Sequence, residues 1–175
     1  MGAVYAREIL GIPEPRGGLM SIGGEDTKGN ETTKEAFAIL KSSRIRFQGN
    51  VEGHDLFAGK VDVVVCDGFV GNVVLKTSES VAHFVGHLLK KELTRNLVRK
   101  AGAMLIKPGL DSLKRQTDAS QYGGAPLLGA NGMCVIGHGA SNARAVFNGI
   151  RVSAEAVRRG VKALVERALG ELRTA

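Results

Sequence analysis

Apolar positions along the chain follow two rhythms. In VVVC at 63–66 four strand-forming residues stand together without alternation, the habit of a strand covered on both faces in a parallel sheet. Similar short runs predict strands at 18–22 (GLMSI), 45–50 (IRFQGN), 61–66 and 133–137 (MCVIG). Between them the spacing turns helical. Tyr5, Ile9 and Ile12 share one side of an opening helix that stops before Pro13, and Ala36, Phe37 and Leu40 face inward on a helix from about Glu31 to Ser42. Residues 51–59 (VEGHDLFAG) read as a turn or single helical turn. A long apolar-periodic helix opens at Asn72, and one loop and one long helix finish the chain after Gly137. Strands alternating with helices predict an α/β fold with a mainly parallel sheet, right-handed crossovers and a single domain over 1–175.

Charge changes the picture in one segment. From Lys90 to Gln116 eight basic residues face two acidic ones, a net +6 out of +7 for the whole chain. Pro108 divides this stretch, giving one amphipathic segment with Leu97, Val98, Ala101, Met104 and Leu105 and another with Leu110 and Leu113. The pattern predicts an amphipathic helical hairpin over about 90–117. A basic patch of this kind suits an acidic protein or an anionic membrane surface. Nucleic acid fits least, since no aromatic residue stands in the segment to stack on bases. A dimer contact through the apolar stripe is the plainer structural reading.

The remaining totals exclude more than they select. With 43% hydrophobic residues and a mean hydropathy near zero, 175 residues suffice for one globular core. Two cysteines, Cys66 and Cys134, give neither a disulfide framework nor a CxxC metal site. No apolar stretch approaches the roughly 20 residues of a membrane span, and no signal-like start is read. The expected localisation is cytoplasmic.

Candidate chemistry lies in three Gly-rich loops, each after a predicted strand: GGEDTKGN (23–30), CDGFVGN (66–72) and GHGASN (137–142). On one edge of a parallel sheet they would gather Lys28, Gly29, Asn30, Asp67, Gly68, Gly71, Asn72, His138, Ser141 and Asn142 with helix-start N–H groups, and Lys76 one turn inside the second helix. Donors exceed acceptors in that set, which suits a phosphate. The alternative for each residue is plainer: Asn30, Asp67 and Asn72 as helix caps, His138 as a strand-end histidine bonded to backbone, Lys28 and Lys76 as solvated lysines.

The strings EDTKGNETTKEAF, GNVEGHDLFAGKVDVVVCDGFVGNVVLKTSES, YGGAPLLG and HGASNARA resemble, in order and spacing, the carboxyl-terminal half of the bacterial phosphate acyltransferases of phospholipid synthesis, the PlsX family. The resemblance covers nearly the whole chain. It implies a three-layer αβα fold similar to phosphotransacetylase and isopropylmalate dehydrogenase with a protruding amphipathic hairpin, a homodimer, and conversion of acyl-carrier protein plus inorganic phosphate into acyl phosphate and free carrier. It also implies peripheral visits to the membrane, where a glycerol-phosphate acyltransferase uses the product, and no cofactor or metal. The family's amino-terminal half, which opens on an MGGD-type motif, has no counterpart here, so a truncated product is expected. His54 stands where the family more often has Arg.

Dianionic phosphate is already nucleophilic, so direct attack on the thioester needs positioning and charge stabilisation more than a strong base. Asn72 and the helix N-termini are the candidate phosphate or oxyanion donors, Lys28 or Lys76 the compensating cation, and His138 the proton donor to the leaving thiol. Leu97, Arg99, Lys100, Ala101, Met104 and Leu105 are the candidate membrane or carrier contacts. Two rivals remain: a non-catalytic carrier-binding or membrane-binding module, and an acyl-CoA phosphotransferase.

Overall fold

The structure, a computed structural model, describes residues 1–116 and 118–173. The predicted hairpin end at Thr117 lies outside the described residues. The chain forms two compact units, Met1–Cys66 with Ala119–Ala175, and Asp67–Asp118.

The first unit carries β1 (Arg16–Met20), β2 (Arg46–Val51) and β3 (Val63–Val65) in a parallel sheet of order β2-β1-β3. The class is α/β, as expected, with six α-helices among the described residues of the whole chain. β1 starts two residues earlier than the pattern placed it, and its Gly17 and Gly18 let neighbours approach closely. A Cβ on Gly18 would come within 2.7 Å of Val51 and 3.1 Å of Val61. At the entry to β1 the Arg16 side chain meets the Asp62 carboxylate at 2.9 Å, and the Arg16 N–H donates to the same oxygen at 2.8 Å. With a third bond from the guanidinium to the other carboxylate oxygen at 3.0 Å, these hydrogen bonds from Arg16 hold the pKa of Asp62 down to about 2.

β3 is less covered than its unbroken valine run implied. Val63 and Val64 are half-buried and Val65 is 41% exposed, because β3 stands at the edge of the described sheet. A second correction concerns the strand predicted at 133–137. Only Val135–Ile136 is extended there, as β5, and it pairs antiparallel with β4 (Ala125–Pro126) in a separate two-stranded ribbon. Glycines make that pairing tight: a Cβ on Gly124 would come within 2.8 Å of Val135.

The helices of this unit follow their apolar spacing. α1 (Gly2–Glu8) is shorter than expected, ending four residues before Ile12. α2 spans Glu31–Ser42, as predicted, and buries Phe37, whose ring meets Phe47 of β2 edge-on at 5.2 Å. The single closing helix divides in two, α5 (Ala143–Arg158) and α6 (Val161–Arg173). Gly160, at φ +63, makes the break, since helix C-termini favour a left-handed residue without a Cβ. Val4 of α1, Ala156 of α5 and Val161 and Val165 of α6 form a shared core. α5 is inverted in size: small Ala145, Gly149 and Ala156 are buried while Val146, Phe147, Ile150 and Val157 stand exposed.

The second unit is helical. α3 runs from Gly68 to Leu93 and α4 from Leu97 to Gln116, joined at Thr94–Asn96, where the Asn96 carboxamide accepts from the Arg99 N–H at 2.9 Å and the Arg99 guanidinium bonds Glu92. Two expectations change here. Pro108 lies inside α4 and does not divide two helices; it forfeits one backbone bond, the one its missing N–H would give to Met104. α3 begins four residues before Asn72. Neither helix buries a residue, and no helix among the described residues is long and apolar enough to cross a membrane.

Candidate active site

Three predicted site residues open helices, each by the same chemistry. The Asn30 carboxamide oxygen accepts from the Thr33 N–H at 2.9 Å, and the Asn142 oxygen from the Ala145 N–H at 2.9 Å. Asp67 accepts from both Phe69 and Val70 N–H groups at 2.9 Å. Capping satisfies donors that a helix end otherwise leaves open. The bases of the three caps differ in charge. Asp67 sets a carboxylate against the positive end of α3, whereas Asn30 and Asn142 are neutral caps; α2 meets its first carboxylate one residue on, at Glu31, and α5 has none in its first turn.

The loop 23–30 is the most built of the three. Gly29 has φ +110, and a Cβ there would collide with the Thr33 side chain. Gly23 is buried beneath the stem of Lys28, with 3.0 Å from a would-be Cβ to Lys28 Cγ. The Lys28 N–H donates to the Glu25 carbonyl at 3.0 Å, closing a tight turn, and the Lys28 side chain is exposed. Below the loop lies Asn50 of β2, 8% exposed, whose Nδ2 donates to the same Glu25 carbonyl at 2.7 Å. Sequence reasoning missed Asn50. Its signal was the QGN end of an apolar strand, where a carboxamide interrupts the run.

At the start of α3, Gly68 and Gly71 are helical residues and Asn72 is the fifth residue of the helix, exposed and past the capped turn. The Gly71 N–H donates to the Asp67 carbonyl at 2.9 Å, so Asn72 belongs to the helix body and not to its mouth. Lys76 forms an exposed ion pair with Glu79 at 3.1 Å. Its charge is thus partly answered within its own helix, a pairing of the modest surface kind.

In the third loop the His138 ring accepts at Nδ1 from the Ala140 N–H at 3.1 Å, which leaves Nε2 to carry the proton of the neutral ring. The Ser141 N–H donates to the His138 carbonyl at 2.9 Å, and its hydroxyl lies near Gly137, 3.5 Å from a would-be Cβ. This loop follows β5, outside the parallel sheet, so the three loops do not share one sheet edge. The loop after β1 and the exit of β3 do share one, because the two strands pair parallel with Leu19 opposite Val65.

On α4, Leu97, Met104 and Leu105 are 83%, 69% and 84% exposed, and Ala101 lies in the open between them, four residues after Leu97. Arg99 and Lys100 occupy the same exposed helix. Two open cavities of the first unit, about 380 Å³ beside Tyr122 and Arg151 and about 560 Å³ beside Arg44 and Arg167, are lined by none of the predicted site residues. No group of three or more potential metal-ligating side chains occurs among the described residues.

Residues 1–164 match the model of a family described as "Fatty acid synthesis protein". Proteins named phosphate acyltransferase are similar along nearly the whole chain: that of Acidobacterium capsulatum is 50% identical over 166 residues, 95% of this chain and 49% of the relative. That of Geobacter sulfurreducens is 51% identical over 161 residues, 92% and 46%. That of Aquifex aeolicus is 50% identical over 155 residues, 89% and 46%. The chain spans about half the length of these relatives. With a parallel α/β sheet, Asx-capped Gly-rich loops and a family match over nearly all its residues, the chain belongs to the fatty acid synthesis protein family.

Proposed function

We propose that the chain supplies the phosphate-handling half of an acyl-carrier-protein:phosphate acyltransferase of fatty acid and phospholipid synthesis. The carrying observation is the loop 23–30, which presents an exposed lysine beside a neutrally capped helix start. A dianion is favoured there by the α2 dipole and the Lys28 charge together. The names of the relatives support the chemistry. In the reaction, a phosphate oxygen bonds to the thioester carbonyl carbon, the tetrahedral oxyanion collapses, and the carbon–sulfur bond breaks. The products are acyl phosphate and a thiolate, which takes one proton.

Lys28 is the preferred cation, because Lys76 already pairs with Glu79. The proton comes from the attacking hydrogen phosphate, and His138 is its carrier to the thiolate, a role that needs the ring protonated at both nitrogens and so released from the bond it accepts from Ala140. Asn72 is the amide donor to the oxyanion. The three-layer architecture of the phosphotransacetylase and isopropylmalate dehydrogenase kind, the homodimer and the hairpin belong to the same reading. Acyl-CoA as donor, or a binding module without turnover, are its rivals.

The test is turnover of phosphate with acyl-carrier protein and with acyl-CoA, with the amino-terminal half of a relative supplied separately. Lys28→Met and Asn72→Ala should each cost roughly 10²-fold, the scale of one preorganised group, while Lys76→Met should cost less than about threefold. Equal losses at Lys28 and Lys76 would reverse the assignment of the cation. Transfer from acyl-CoA alone would replace the carrier reading.

Peripheral membrane attachment through α4 rests on the exposed Leu97, Met104 and Leu105 within the basic segment. Basic residues near an anionic bilayer contribute about 1 kcal/mol each, screened by salt. Leu105→Glu should release the chain from anionic vesicles and raised salt should weaken binding. Retained vesicle binding with a changed oligomeric state would make the stripe a subunit contact instead.

A further inference from the structure

We infer that Asn50 is a positioning residue for Lys28, acting through the carbonyl of Glu25; this rests on the anion-site reading above. The placement begins with an irregularity in β2. Opposite the two steps from Gly17 to Leu19, β2 takes three, from Phe47 to Asn50, and Gly49 adopts φ +94. An extra residue of this kind bends a strand and re-aims the side chains that follow. Alternation accordingly stops, and Asn50 and Val51 are buried in succession.

A buried carboxamide is costly unless it bonds. Asn50 Nδ2 donates to the Glu25 carbonyl, across 25 residues of sequence, at 2.7 Å, while its Oδ1 is buried with no hydrogen-bond partner among the described residues. The same oxygen receives the Lys28 N–H at 3.0 Å. One carbonyl therefore links the backbone of Lys28 to the interior of the sheet. The Lys28 stem then lies over Gly23, which leaves the side chain a narrow choice of directions. Removing the Asn50 amide frees the Glu25 carbonyl and with it the turn that presents the ammonium. A control stands just after β1: Ser21 Oγ is buried with no hydrogen-bond partner among the described residues, so it makes no hydrogen bond into the loop 23–30.

The experiment titrates inorganic phosphate into the 175-residue chain, following amide signals, and measures amide exchange of residues 24–30. Asn50→Ala should weaken phosphate about tenfold, the factor for one hydrogen bond, and speed exchange across the loop. In a Lys28→Met background it should weaken phosphate no further, because the two residues act as one unit. Ser21→Ala should leave both readings unchanged. Full additivity with Lys28→Met, or an unchanged affinity in Asn50→Ala, overturns the inference. If Asn50→Ala fails to fold, Asn50→Ser, too short to reach Glu25, gives the same readings. Should the parent chain bind no phosphate at millimolar concentration, the anion-site reading fails, and the exchange rates alone decide whether Asn50 holds the loop.

Discussion

α2 and α3 open with the same Asx cap and differ in everything behind it. α2 is short, carries a neutral cap, and buries Phe37 against Phe47. α3 is twice as long, carries an anionic cap, and buries nothing, with Phe69 at 79% and Phe84 at 62% exposure. A cap satisfies N–H groups, but apolar burial is what makes a helix hold its place in a protein. The contrast separates two jobs that the sequence pattern merges: where a helix starts, and whether its start is fixed firmly enough to do chemistry. By that measure the junction before α2 is the better built one.

The largest effect that bears on this contrast is packing. Phe37→Ala should cost about 3 kcal/mol, since it deletes a buried ring and its edge-on partner contact. Phe84→Ala should stay within about 0.5 kcal/mol, the usual range for an exposed position. Chemical denaturation of the two variants beside the parent measures both. A Phe84→Ala loss as large as that of Phe37→Ala would mean that α3 is covered in solution, by a second copy or another chain, and the contrast would collapse.

Much of the fold was legible because it depends on local pattern. The span of α2 followed from Ala36, Phe37 and Leu40 at helical spacing after a capping Asn, and the residues did what the spacing predicts. β3 was legible as a strand but not in its burial, because coverage depends on neighbours that a local run of valines does not specify. Val135 and Ile136 look like any buried strand, yet their antiparallel pairing with Ala125 and Pro126 is a long-range choice no short window encodes. Pro108 misled for a different reason. Proline disfavours a helix interior by a few kcal/mol, but a helix of 20 residues can absorb that where the ends are secured, as Asn96 secures α4. At the candidate site, Lys28 and Asn30 stand on a loop whose glycines announced it, whereas Asn50 mattered only after a bulge turned it inward.

The smaller effect concerns charge at the two caps, and it isolates electrostatics from packing. Asp67→Asn keeps an acceptor for the Phe69 and Val70 N–H groups while removing the negative charge from the start of α3. Asn30→Asp does the reverse at α2, keeping the bond to Thr33 and adding a charge close to Lys28. Both substitutions preserve a favoured cap, so stability should move by less than about 1 kcal/mol. Phosphate affinity should separate them. Asn30→Asp should weaken binding at the α2 junction several-fold, the scale of about 1 kcal/mol between exposed charges. Asp67→Asn should leave that junction's affinity alone. Titration of both variants at low and high salt reads the difference, because a charge effect fades with screening and a packing effect does not. An Asn30→Asp variant that binds phosphate as well as the parent at low salt would place the anion away from the α2 start, and the greater order of that junction would then be structural alone.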